Sequence, residues 1–163
     1  MTAGGHLLRP ATETDVDAVT ELVRAAYEGY TALIGRTPIP MLADYRTAIR
    51  HHDVRVLEWN GEVAGILEME VRPDHLWIEN VAIAPAWQGQ GLGRALLGHA
   101  VDVARERGMS EIRLLTNERY TANIAMYERY GYVETHREPH LGTDLVHFTR
   151  RLDSGGDGDG PMR

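Results

Sequence analysis

The chain has 163 residues, a net charge of −7 and no cysteine. That length suits one domain with a sizeable core. The missing cysteine excludes disulfides, thiolate nucleophiles and thiolate metal sites. All 17 basic residues are arginine. An acidic chain without a basic cluster argues against a nucleic-acid partner. Met1 to His6 has neither the basic start nor the apolar run of a secretory signal. No apolar stretch is long enough to span a bilayer. A cytoplasmic protein with no membrane partner is therefore expected.

Leu7-Leu8-Arg9 reads as a short first strand. Thr14-Asp15-Val16-Asp17 resembles a capping box with Asp in place of Glu. Val16, Val19, Val23, Ala26, Tyr27 and Tyr30 then follow at helical spacing. Gly35 to Pro40 breaks the pattern, and a second helix is predicted from Met41 to His51 with Met41, Tyr45, Ala48 and Ile49 inward. Val54 to Trp59 and the run from Val63 flank Asn60-Gly61, a strong hairpin signal because both residues tolerate positive φ. Leu67, Met69 and Val71 should share one face, with Ile66, Glu68 and Glu70 on the other. Leu76 to Ala84 makes a third antiparallel strand.

A helix from Leu92 to about Arg107 ends at Gly108, a residue suited to the position after a helix. It lets the next strand, Ile112 to Thr116, lie parallel to Leu76–Ala84. A short helix from Ala122 to Tyr130 and strands Tyr132–Glu138 and Leu145–Leu152 complete a domain over residues 1–152. Residues 153–163, rich in Gly and Asp, read as a disordered tail.

The stretch Gln88-Gly89-Gln90-Gly91-Leu92-Gly93 lies between a strand and a helix. Free N–H groups and the positive end of the macrodipole make such a turn a phosphate or pyrophosphate site. The alternative is a turn used for packing only. A P-loop would need Lys then Ser or Thr after the last Gly, where Arg94 and Ala95 stand. A dinucleotide fingerprint needs a parallel fold and an acidic residue ending the next strand, whereas Glu111 precedes one.

Val81-Ala82-Ile83-Ala84-Pro85 followed by Gln88-x-x-Gly91-x-Gly93-Arg94-Ala95-Leu96-Leu97 closely resembles the acyl-CoA-binding motif of the GNAT superfamily of N-acetyltransferases. Met126-Tyr127-Glu128-Arg129-Tyr130-Gly131-Tyr132 is similar to that family's second signature. The element order agrees from Leu7 to Leu152; the tail and Tyr30 to Pro40 lie outside what the resemblance constrains. It implies an α/β fold, a mixed and mostly antiparallel sheet of six or seven strands with about four helices on both faces. It also implies acetyl-CoA as cosubstrate and direct attack of an amine on the thioester, without a covalent enzyme intermediate.

Carried over residue by residue, the resemblance gives the pyrophosphate to backbone N–H groups from Gln88, Gly89, Gln90, Gly91, Leu92, Gly93 and Arg94. The pantetheine arm falls to the segment Val81, Ala82 and Ile83, beside a gap where this strand splays from its parallel neighbour. Ile83 is the implied amide for the oxyanion. Glu79 is the implied base, its other reading being a paired or rim carboxylate. Tyr127 is the implied acid for the leaving thiolate, its other reading a core tyrosine with a polar tip. Tyr120 stands where the family often has an Asn that holds the pantetheine arm; Asn117 and Asn123 flank it, and Asn123, on the face of Tyr127, is favoured.

The first two helices and their loop, with Tyr27, Tyr30, Arg36, Pro38, Met41 and Tyr45, would cover the acceptor. Tyr27 and Tyr45 read equally as core. Glu68 and Glu70 would draw a cationic amine or form a solvated face. The acceptor is a small-molecule or protein amine, and relatives that dimerise imply a homodimer as one assembly. The histidines show no metal-binding spacing, so no metal is assigned, and His99 reads as a satisfied core residue. Other acyl-CoA donors, and a non-catalytic acyl-CoA-binding sensor or interaction module, are the alternatives.

Overall fold

The computed structural model describes residues 5–153. All but Asp153 of the expected tail thus lies outside the described residues. The elements, in chain order, are β1 (His6–Pro10), α1 (Val16–Tyr27), α2 (Tyr30–Ile34), α3 (Tyr45–His51), β2 (Asp53–Trp59), β3 (Glu62–Val71), β4 (Leu76–Ile83), α4 (Leu92–Glu106), β5 (Glu111–Asn117), α5 (Thr121–Arg129), β6 (Val133–His140) and β7 (Thr143–Arg151). The seven strands form one sheet in the order β1-β2-β3-β4-β5-β7-β6. Only β4 and β5 pair in parallel; the other neighbours are antiparallel. This is the expected mixed sheet, with α4 as the crossover that parallel pairing requires. Among the described residues no helix is long and apolar enough to cross a membrane.

Two cores lie on the two faces. On one, Val19, Val23 and Tyr27 of α1 and Tyr45 and Ala48 of α3 pack on Val54, Val56, Ile66 and Ala82. On the other, Leu96, Leu97, Ala100 and Ala104 of α4 and Tyr127 of α5 pack on Leu67, Met69, Ile78 and Phe148. Helices on both faces explain why β3 departs from the expected one-sided alternation: Ile66, Leu67, Glu68 and Met69 are all buried.

Three local readings are corrected. The capping box is Thr12 with Asp15, two residues earlier than Thr14 with Asp17; the Thr12 N–H donates to Asp15 Oδ2 at 2.7 Å. Tyr30 does not continue α1 but opens the separate α2, which Gly35 ends at φ 78°. The helix expected from Met41 starts at Tyr45, because Asp44 caps it: Oδ1 accepts from Arg46 N at 3.0 Å and Thr47 N at 3.3 Å. His99 is also unlike its reading, since its buried Nε2 has no hydrogen-bond partner among the described residues.

Two irregularities in the sheet make the site. β4 and β5 pair only at Leu76 with Ile112 and Trp77 with Arg113, then part. Between β3 and β4 the register jumps from Met69 with Ile78 to Glu68 with Asn80, so Glu79 is an inserted residue, a β-bulge.

Candidate active site

Beyond the parting of β4 and β5 lies a first cavity of about 250 Å³. Val81, Ala82 and Ile83 of β4 form one wall. The glycine turn and the start of α4 form another through Gln88, Gly89, Gly91, Leu92, Gly93 and Arg94, and Asn123 of α5 faces them. The structure therefore brings together every residue expected to hold the donor except Gln90, which does not line the cavity.

The turn has a local cause. Gly91 adopts φ 84° immediately before α4, a conformation a Cβ would disfavour. Gly93 lets α5 approach, because a Cβ there would sit 2.6 Å from Met126 Sδ. The Gln88 side chain donates from Nε2 to the Ile83 carbonyl at 3.2 Å and ties the turn to the strand end. The sheet register orients the strand's backbone. Ala84 N–H donates to Ala64 O at 2.8 Å, so by antiparallel alternation Val81 and Ile83 turn their backbone groups away from β3, toward the gap. Arg94, whose amide the resemblance assigns to the pyrophosphate, and Arg129, which the sequence reading left unassigned, both line the same cavity.

A second cavity, about 140 Å³, lies on the side of α1–α3. Tyr27 lines both cavities. A hydrogen-bonded chain builds the second cavity's wall: Tyr27 OH donates to Asn80 Oδ1 (2.9 Å), Asn80 Nδ2 donates to Tyr45 OH (3.1 Å), and Tyr45 OH donates to Pro40 O (2.7 Å). Burial, with nearby tyrosines, holds the Tyr27 hydroxyl well above its ordinary value. Tyr27 and Tyr45 are thus both core and cavity wall, and the two readings of each converge.

Glu79 and Tyr127 both line this cavity. The sequence reading took Glu79 as a carboxylate on an apolar strand; the bulge instead leaves it exposed, with Trp77 Nε1 donating to its Oε1 at 2.8 Å. Tyr127 is buried, and burial pushes its hydroxyl well above the usual tyrosine range. The buried carboxylate of the cavity is Glu68, 4% exposed. His52 Nδ1 lies 2.7 Å from Glu68 Oε2, and His52 Nε2 lies 3.2 Å from Glu70 Oε2. Burial raises the Glu68 carboxyl against the pull of His52. Desolvation lowers the imidazole, but its bond to Glu68 and the charges of Glu68, Glu70 and Glu79 outweigh that and raise it. Glu68 is therefore no solvated face.

The asparagines separate by place. Asn123 lines the first cavity. Asn117 is buried and occupied: its Nδ2 donates to Thr143 Oγ1 at 2.8 Å and its Oδ1 accepts from Arg119 N at 2.9 Å. Tyr120 stacks on Tyr30 with ring centroids 4.2 Å apart. Sequence reasoning passed over Asn80. The adjacent polar pair Glu79-Asn80 in an otherwise apolar strand was the available signal, since two polar residues in succession break period-2 alternation and mark a bulge.

The sheet is parted at its parallel step, with a glycine turn at one end of the gap and a second cavity carrying Glu68 and Glu79 beside it. Solved structures share the fold. The crystal structure of the ribosomal-protein-S18-alanine N-acetyltransferase from Escherichia coli superposes with a TM-score of 0.75 at 23% identity, covering 93% of this chain and 97% of that one. The structure of yncA from Salmonella typhimurium with its cofactor acetyl-CoA gives a TM-score of 0.70 at 26% identity, covering 96% and 99%. The model of the Acetyltransferase (GNAT) family matches residues 17–132, and the chain belongs to that family. Among curated relatives, the [ribosomal protein bS18]-alanine N-acetyltransferase of Escherichia coli (strain K12) is 38% identical over 78 residues, 48% of this chain. The chain spans about half the length of that relative, 53%. The aminoalkylphosphonate N-acetyltransferase of Salmonella typhimurium is 29% identical over 141 residues, 79% of this chain and 86% of the relative.

Proposed function

We propose that this protein transfers an acetyl group from acetyl-CoA to an amine by direct attack. The observation that carries the reading is the junction of two cavities at Tyr27, one walled by the glycine turn and the other holding Glu79 and Tyr127. Membership of the family supports it. So do the named acceptors of the two relatives, a ribosomal-protein alanine and an aminoalkylphosphonate, which are both amines. A cytoplasmic setting, where acetyl-CoA is made, goes with the reading.

The donor's chemistry is that of an activated thioester. Backbone N–H groups of the turn, with Arg94 and Arg129, suit its phosphates, and Asn123 suits its amide-bearing arm. The Val81 amide faces the gap next to Asn80, which lines the acceptor cavity, whereas Ile83 adjoins the turn. Val81 is therefore the better-placed donor to the charge that develops on the carbonyl oxygen. Glu79 takes the ammonium proton, directly or through water, and passes it to solvent, to which it is open. As the N–C bond forms and the C–S bond breaks, Tyr127, held protonated by its raised value, supplies the thiolate's proton, and the second proton that the nitrogen sheds on becoming an amide restores the Tyr127 hydroxyl.

The double variant Glu79→Gln, Tyr127→Phe should keep acetyl-CoA affinity by calorimetry and lose at least about a hundredfold in kcat. A parent protein that binds acetyl-CoA but acetylates no amine would favour the sensor alternative. No binding heat at all would remove the reading.

A further inference from the structure

The acceptor cavity is bipolar. Its β3–β4 side carries two carboxylates, Glu68 and Glu79. Across the parting of the sheet, its β6 side carries His140, with Arg36 reaching over from the loop after α2. Strand order separates the two walls, because β5 and β7 stand between β4 and β6.

The basic end is held in place and left unneutralised. Arg36 Nη1 donates to Leu141 O at 3.0 Å and to Ile34 O at 3.4 Å, which fixes the guanidinium beside His140. Neither contact is with an acid, and Arg36 makes no ion pair among the described residues. Among the described residues it is the one arginine lining this cavity. His140 Nε2 is shielded from solvent and has no hydrogen-bond partner among the described residues. A buried polar atom without a partner is costly unless something else satisfies it. An arginine with free N–H groups beside it is the group best shaped for a planar or tetrahedral oxyanion.

Resting on the transferase reading above, we propose that the acceptor is a small zwitterion. Its amine sits at the Glu79 and Glu68 wall, and a carboxylate or phosphonate sits at the Arg36 and His140 wall. A cavity of about 140 Å³ suits a molecule of a few heavy atoms between the two walls. The acidic wall favours the ammonium on binding and provides the base that must deprotonate it; the basic wall orients the molecule so that this end faces the junction at Tyr27. The anionic group takes no part in bond making: one N–C bond forms, one C–S bond breaks, the ammonium's first proton leaves through Glu79, and its second ends on the thiol by way of Tyr127.

The test is thiol release from acetyl-CoA with four acceptors: propylamine, 3-aminopropanoate, 2-aminoethylphosphonate and a short peptide amide with a free alanine N-terminus. Either zwitterion should exceed propylamine in kcat/KM by about tenfold or more, and the better of the two identifies the anionic group. Arg36→Gln should shrink that ratio at least about fivefold, and Arg36→Lys should restore part of it. Thermal melts and acetyl-CoA calorimetry on both variants distinguish a folding defect from lost selectivity. Propylamine or the peptide matching the zwitterions, or a ratio unmoved by Arg36→Gln, overturns the proposal and leaves the transferase reading standing. Silence with all four amines, despite heat from acetyl-CoA binding, overturns both.

Discussion

Glu68 and His52 face one another, and the directions of their shifts fix a pH dependence. Both groups have folded values above their ordinary ones. His52, raised by its partners, therefore adds stability that is fully present below its unfolded pKa and lost as pH rises through the folded value, whereas Glu68, raised by burial, costs stability as it ionises with rising pH. For His52 that window opens above about 6.5, the ordinary imidazole value. The Tm difference between the parent and His52→Gln should be largest near about pH 6 and shrink by about pH 8 to 9. A gap that widens with pH would show the pairing to be wrong. Tyr27 makes a second prediction at this scale. Tyr27→Phe removes the donor to Asn80 Oδ1 and strands a buried amide oxygen, so it should cost about 1–3 kcal/mol in denaturant unfolding.

Among the elements, the glycine turn was the part most open to reading from sequence. Its signal is local: Gly91 and Gly93 are demanded by a backbone angle and a close approach, and flanking apolar runs place them between strand and helix. Gly93→Ala should cost about 1–3 kcal/mol through overlap with Met126. Adding Met126→Ala should give a total below the sum of the single losses, as a double-mutant cycle on thermal or urea melts would measure. The acceptor wall was the part least open to reading. Tyr30 to Pro40 forms a helix of five residues and a loop, too short for periodicity to register. Glu68 alternates along β3 like any exposed carboxylate, and only His52 at the end of α3 reveals its burial. The bulge at Glu79 leaves one trace on its own strand, the polar pair Glu79-Asn80 that breaks alternation, while the residues of β3 opposite it follow only from how the two strands meet.

On the scale of the whole molecule, the antiparallel run β2-β3-β4 and its parallel step to β5 agreed with the sequence because hairpins and crossovers leave few topologies open, whereas the place of β7 between β5 and β6 came only from the structure. The half-sheets β1–β4 and β5–β7 touch through two residue pairs in β4 and β5, and past them the backbone of Val81 and Ile83 faces a gap. With acetyl-CoA added, amide hydrogen exchange at these two positions should slow more than at Leu67 in β3, which lies outside the gap; equal protection everywhere would argue against a donor seated there. On the proposed reading, the cleft makes thioester supply a determinant of the protein's durability. At a donor concentration about a hundred times its Kd, the folded state gains about 2.7 kcal/mol. A cell short of acetyl-CoA and CoA would then clear this protein faster than a well-fed one, with no change in its synthesis.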